Sequence, residues 1–166
     1  VFQLYSSQLL RDPSAWYHIA FAFDTTQGTS SNRIKVYLNG EQITAFNTAS
    51  YPALNSDSYV NNTISHYLGN NPDNYYLDGY MTEINFIDGQ ALTPSDFGDY
   101  NIDTGVWQPA KYVGTYGTNG FYLPFSDNTT TTTLGYDQST NTNNWTANNI
   151  SLTAGATYDS MTDTPT

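Results

Sequence analysis

The segment Arg33-Ile34-Lys35-Val36-Tyr37-Leu38-Asn39-Gly40-Glu41-Gln42-Ile43-Thr44-Ala45 leaves the chain little conformational choice. Two alternating runs meet at Asn39-Gly40, the pair that most readily places both central residues of a two-residue hairpin turn at positive φ. A turn of that length sets the register. Val36 falls opposite Ile43 and Ile34 opposite Ala45 on one face, with Lys35 opposite Thr44 and Tyr37 opposite Gln42 on the other. One face is apolar and one is wet, which calls for a second antiparallel layer pressed against the first.

Two further segments agree. Tyr17, Ile19, Phe21 and Phe23 alternate with His18, Ala20 and Ala22 in a run that stops at Asp24. Tyr76 through Phe97 reads as one long strand, a turn and a capped helical turn. Tyr80, Ile84 and Phe86 share a face there, Glu83 and Asn85 point the other way, and Thr93 caps a turn with Pro94 first and Asp96 three residues on. From Gly98 onward the pattern weakens to Trp107-Gln108-Pro109 and a short strand at Gly120–Phe125, with Trp107, Phe121 and Phe125 as packing residues. Asn128–Thr133 and Asp137–Asn149 are polar, low-complexity stretches that read as loops, the threonines also suiting an edge strand.

Trp16-Tyr17-His18-Ile19, Val36-Tyr37-Leu38-Asn39-Gly40 and the Asp78–Leu92 run together resemble a laminin G-like, concanavalin A-like module of the pentraxin type. The resemblance implies an all-β fold, an antiparallel two-sheet jelly-roll sandwich. More narrowly, Leu10–His18, Asn85–Pro94 and Tyr116–Leu123 are similar in wording to modules of aquatic bacteriophage tail and fibre proteins. Thr153–Thr166 resembles the lead-in to a further SPRY-type sandwich. The resemblance therefore divides the chain into the C-terminal part of a sandwich at 1–98 and an extension at 99–166. Such a sandwich usually has several strands before the position of Trp16, where only fifteen residues stand here. The expectation is that the remaining strands come from an upstream segment or from a neighbouring subunit, since exposed sheet edges are rarely left uncovered.

Composition bounds the function. With 166 residues, 11% of them charged, and a formal net charge of −11, the chain repels phosphate backbones and anionic membranes alike. Nucleic-acid binding is therefore not expected, and no segment approaches the apolar length that spans a bilayer, so membrane insertion is not expected either. The cysteine count is 0, which removes disulfides, thiolate metal sites and cysteine nucleophiles together.

For catalysis the sequence offers Glu83-Ile84-Asn85-Phe86-Ile87-Asp88, whose spacing resembles the E-x-D-x-x-E strand of sandwich-fold glucanases. Retaining glycoside hydrolysis needs two carboxyl groups about 5 Å apart. Here Asn85 replaces the middle acid, Asp88 shortens the last, and uninterrupted alternation sends Glu83 and Asp88 to opposite faces. The reading is of solvent-facing polar residues, with no catalytic residue assigned. His18 and His66 sit in strand-like runs and read as structural, and no G-x-S-x-G elbow, H-E-x-x-H motif or phosphate loop occurs.

Binding is better supplied. Asn70-Asn71-Pro72-Asp73-Asn74-Tyr75-Tyr76 places aromatic faces for stacking on a pyranose beside amides and a carboxylate for its hydroxyls, so Asn70, Asn71, Asp73, Asn74, Tyr75 and Tyr76 form the candidate carbohydrate contact. Asp24–Asn32, Asn55–Asn62 and Asn70–Asn74 supply the hard oxygens that Ca2+ would want, yet none has an EF-hand spacing, and turn chemistry accounts for them; no metal ligand is assigned. Asn61, Asn128, Asn144 and Asn149 carry the glycosylation acceptor pattern, about as often as so Asn- and Thr-rich a chain produces by chance. The expected function is a non-enzymatic structural and adhesive module of a virion tail or fibre that meets host-surface glycans and other copies of itself. The alternatives are a repeating subunit of a non-viral extracellular filament or cell-surface adhesin, and a sandwich-fold glycoside hydrolase.

Overall fold

A computed structural model describes residues 2–70, 73 and 75–160. Its regular structure is almost entirely antiparallel β: β1 Gln3–Ser6, β2 Ile19–Phe23, β3 Ile34–Leu38, β4 Glu41–Gln42, β5 Phe46–Ser50, β6 Ile84–Phe86, β7 Gly98–Tyr100, β8 Trp107–Pro109 and β9 Phe121–Leu123, with a short α-helix, α1, at Thr131–Leu134 and single 3-10 turns at Ser30–Asn32 and Pro94–Asp96. The strands pair as β1-β5, β2-β3-β4, β6-β9 and β7-β8. Two compact units interleave along the chain, one built from 2–57 and 90–114, the other from residues within 58–89 and 115–160.

In the first unit the Asn39-Gly40 turn takes positive φ at both residues, 48° and 84°, as a two-residue hairpin requires. Tyr37 faces Gln42, and Ile43 N donates to Val36 O at 2.8 Å, so the register expected from the turn holds at the hairpin tip. Beyond Ile43 it does not continue. Ala45 O instead accepts from Ser7 N and Ser7 Oγ, and the chain passes on to pair as β5 with β1. A competing strand thus takes up the peptide groups that a longer hairpin would have used.

Strand β2 pairs with β3 from Ile19↔Leu38 to Phe23↔Ile34. Alternation is present, but the better-covered side of β2 is the one carrying Ala20 and Ala22, while Phe21 is 72% exposed. Phe21 borders an apolar groove with Phe2, Leu4, Ile34, Val36 and Phe46. On the covered side Ala20 pairs with Tyr37 of β3, and Tyr37 and Ala22 are both buried.

Trp107 organises the remainder of this unit. Its ring lies where a Cβ on Gly40 or Gly98 would be, and it meets Tyr100 edge-on at 5.1 Å and His18 at 5.4 Å between ring centres. Tyr100 OH donates to Asn39 O at 2.8 Å and Glu41 Oε1 at 3.1 Å, which fastens β7 to the hairpin turn. Ahead of β7, Pro94–Asp96 forms the expected turn, and Asp96 Oδ2 accepts from Thr93 N at 2.9 Å.

The second unit is centred on β6 and β9, with Ile84↔Leu123, Asn85↔Tyr122 and Phe86↔Phe121 in register. This pairing joins residues on both sides of position 98. Leu123 is 0% exposed, Phe86 stacks on Phe121 at 5.4 Å, and Trp145 closes over Phe121 at 5.0 Å. The strand expected across Tyr76–Asp88 is confined to Ile84–Phe86, because Glu83 takes φ 55° and breaks the extended run before it. Thr131–Leu134 is helical rather than an edge strand, with Thr130 accepting from Thr133 N at 3.0 Å as an N-cap. The polar stretch from Asp137 folds around that residue's buried carboxylate, which accepts from Tyr122 N, Ser139 N, Ser139 Oγ and Asn143 N, each at 2.8 Å. Gln138 N also donates to Tyr122 O, so this loop covers the edge of β9.

Candidate functional site

Glu83, Asn85 and Asp88 come from β6 and the residues flanking it, and the fold gives each a hydrogen-bonded duty. Glu83 Oε2 accepts from Tyr122 OH at 2.5 Å, and Asn85 Oδ1 accepts from Tyr116 OH at 2.9 Å. The two tyrosine rings stack at 6.5 Å, and burial first, then the Glu83 carboxylate, hold the Tyr122 phenol well above its ordinary value. Asp88 turns to other partners: Oδ1 accepts from Asn61 Nδ2 at 2.6 Å and Oδ2 from Asn119 N at 3.0 Å. Asn119 Nδ2 closes the ring by donating to Asn61 Oδ1 at 2.9 Å. The two carboxylates that a glycosidase would use as a pair are thus engaged with different partners, in contacts that shape loops.

The histidines are likewise occupied structurally. His18 lies half-buried against Trp107, and burial holds its imidazole below the ordinary value. His66 lies outside any strand, with its ring nitrogens at 2.9 Å from Ile64 O and 3.0 Å from Tyr59 O.

The segment expected to contact sugar, called the arm below, has Asn70, Asp73, Tyr75 and Tyr76 among the described residues. Asn70 and Tyr76 form an antiparallel bridge, and Leu77 N donates to Gly69 O at 2.8 Å, with Gly69 at φ 75°. Asp73 lies in a turn between the bridged residues; Asn71 and Asn74 lie outside the described residues. Tyr75 is 74% and Tyr76 66% exposed, Asp73 is exposed, and Asn70 Oδ1 is buried without a hydrogen-bond partner. Leu77, Asp78 and Tyr80 extend the exposed surface along the chain, a continuation the sequence reading assigned to the long strand. Strand-like alternation hid them, since the residue types suit either setting.

Among the described residues no group of three His, Cys, Asp or Glu side chains could hold a metal ion. In the Asp24 loop the carboxylate is taken up by Thr26 N, Thr26 Oγ1 and Gln27 Nε2, and those donors hold it below the usual carboxylate range. The four glycosylation triplets differ in setting. Asn61 Nδ2 is held by Asp88, Asn128 Nδ2 donates to Tyr158 OH, and Asn144 Oδ1 accepts from Asp137 N at 3.0 Å, while Asn149 is exposed. No described helix is long and apolar enough to cross a membrane.

Charge divides sharply between the units. All 4 cations of the chain, Arg11, Arg33, Lys35 and Lys111, fall in the first unit. The second has no Lys or Arg, and its carboxylates include Asp73, Asp78, Glu83, Asp88 and Asp127.

No curated protein and no solved structure matches the chain. A laminin G family model described as the concanavalin A-like lectin/glucanases superfamily matches residues 2–96. That span takes in the Asn39-Gly40 hairpin, the arm at Asn70–Tyr76 and strand β6, which joins the antiparallel architecture to the sequence pattern. The chain belongs to the concanavalin A-like lectin/glucanases superfamily, as a laminin G-like β-sandwich module.

Proposed function

We propose that the chain is a non-enzymatic adhesive module that holds glycans at the Asn70–Tyr76 arm, within a virion tail or fibre that meets host-surface sugars. The observation that carries the reading is the arm itself. It presents Tyr75 and Tyr76 to solvent beside Asn70 and Asp73, the combination that stacks on a sugar ring and bonds its hydroxyls. The engagement of Glu83 by Tyr122 and of Asp88 by Asn61 and Asn119 supports holding rather than cleavage. Exposed Phe21 and the groove beside it support a module that works within an assembly.

Screening the intact chain on an immobilised glycan panel tests the binding half of the reading. Retention of particular glycans that disappears when Tyr75 and Tyr76 become Ala is expected; retention indifferent to both changes contradicts it. Electron microscopy of the native particle tests the setting: a tail appendage on a capsid is expected, an open filament of repeating protomers is not.

A further inference from the structure

Strand β2 ends its sheet, with β3 on one side and no strand on the other among the described residues. Asn39 N donates to His18 O and Asp24 N to Arg33 O, each at 2.8 Å, so the alternation of an antiparallel ladder turns the peptide groups of His18, Ala20, Ala22 and Asp24 toward β3. Those of Ile19, Phe21 and Phe23 face outward, where nothing among the described residues bonds them. Natural sheets guard such an edge with a charge, a proline, a bulge or a covering loop. Ile19-Ala20-Phe21-Ala22-Phe23 holds no charge and no proline, its register with β3 is unbroken, and Ile19 is 48% and Phe21 72% exposed. The edge of β9, by contrast, is covered by the loop at Asp137 and Gln138.

We infer that β2 pairs with the β2 strand of a second copy, antiparallel and about a two-fold axis at Phe21, joining two three-stranded sheets edge to edge. Full overlap sets Phe21 opposite Phe21 of the partner subunit and Ile19 opposite Phe23 of the partner subunit, each pair exchanging both of its outward hydrogen bonds. Apolar side chains then lie side by side on the exposed face, and on the other face Ala20 meets Ala22 of the partner subunit. Charge and pattern select a copy of this chain. At a formal net charge of −11 two copies repel each other, so they meet best along a strand without a carboxylate, in the unit that holds all 4 cations. Asp24, just past the strand, falls opposite His18 of the partner subunit, so no carboxylate faces a carboxylate. The contact is self-complementary and closes as a dimer. It goes beyond the glycan reading and stands whether or not the arm holds sugar.

Sedimentation equilibrium of the intact chain from about 1 µM to about 1 mM, the range of weak specific contacts, is expected to show a monomer in equilibrium with a dimer. Phe21→Lys sets like charges against each other at the axis and should weaken the dimer at least about tenfold, as should Phe21→Glu, with the circular dichroism of each variant unchanged. Mixing the two variants should restore dimerisation, because only a strand that meets its own position 21 sets Lys against Glu. A one-chain mass across the whole range overturns the inference. So does a dimer indifferent to Phe21→Lys, or variants that associate no better mixed than apart. If either variant unfolds, hydrogen exchange of the unaltered chain decides instead: from the dilute to the concentrated end the Phe21 amide should slow at least about tenfold, while the Ala20 amide, turned toward β3, keeps its rate. Equal Phe21 rates at both ends overturn the inference.

Discussion

The first unit is held mainly by strand ladders and one tryptophan, the second by side chains that reach back to the main chain. Around Trp107 the contacts are ring on ring and ring on glycine, with β2, β3 and β4 paired in sequence order. Around β9 only one strand pair forms among the described residues, and Asp137, Asn141 and Asn143 supply what further strands would have supplied: Asn141 Nδ2 and Asn143 Nδ2 both donate to Gly120 O at 2.9 Å. A ladder depends on backbone groups that any residue carries, whereas a side-chain lattice depends on particular residues. The second unit should therefore be the more sensitive to single polar changes and to acid.

The largest expected effect is on the second unit's core. Leu123→Ala removes the one fully buried large side chain among the described residues and should cost about 3 kcal/mol, read as a drop in the denaturation midpoint. Asp137→Ala comes next, at about 2 kcal/mol, because four donors lose their acceptor. The same residue sets an acid limit. Burial raises its carboxyl pKa, but the donors from Tyr122, Ser139 and Asn143 prevail and hold it below the ordinary 3.8. Its stabilisation is thus complete above the unfolded value and is lost as pH falls below about 4. An acid melting series of the Asp137→Asn chain should show a shallower limb there, the remainder coming from other carboxylates held low, such as Asp24.

In the first unit the sensitive positions are glycines. Gly98→Ala brings a methyl to within 2.6 Å of Trp107 Cζ2 and should cost about 2 kcal/mol, with a changed Trp107 environment visible in near-ultraviolet dichroism. The smallest effect belongs to His18. Its folded value is depressed by burial, so the native state binds fewer protons than the unfolded one. Stability accordingly falls as pH drops below about 6.5 and levels off once His18 is charged in both states. His18→Gln should flatten that step. An acid response confined to His18, with none from Asp137, would reverse the contrast between the units.

What the sequence disclosed follows the same division. Asn39-Gly40 and Thr93-Pro94-Ser95-Asp96 were legible because turn and cap chemistry is local, needing only neighbours in the chain. The end of β4 was not, since it depends on Ser7, far away in sequence, competing for Ala45 O. Period-2 alternation located β2 but not its covered side, which small Ala20 and Ala22 decide through what lies against them. The role of Asp137 was hidden in a run that reads as plain loop. For the candidate site, residue type singled out Tyr75, Tyr76 and Asp73, whereas the exposure of Asp78 and Tyr80 was hidden by an alternation that does not become a strand ahead of Glu83, at φ 55°.

Holding without cleaving is the central claim, and one paired assay addresses it: binding of an oligosaccharide together with its chain length over time, for the unaltered chain, for Tyr75→Ala with Tyr76→Ala, and for Glu83→Gln. The account predicts an oligosaccharide of unchanged length throughout, with binding lost in the tyrosine variant and kept in Glu83→Gln. Shortening of the oligosaccharide by the unaltered chain that stops in Glu83→Gln would contradict it.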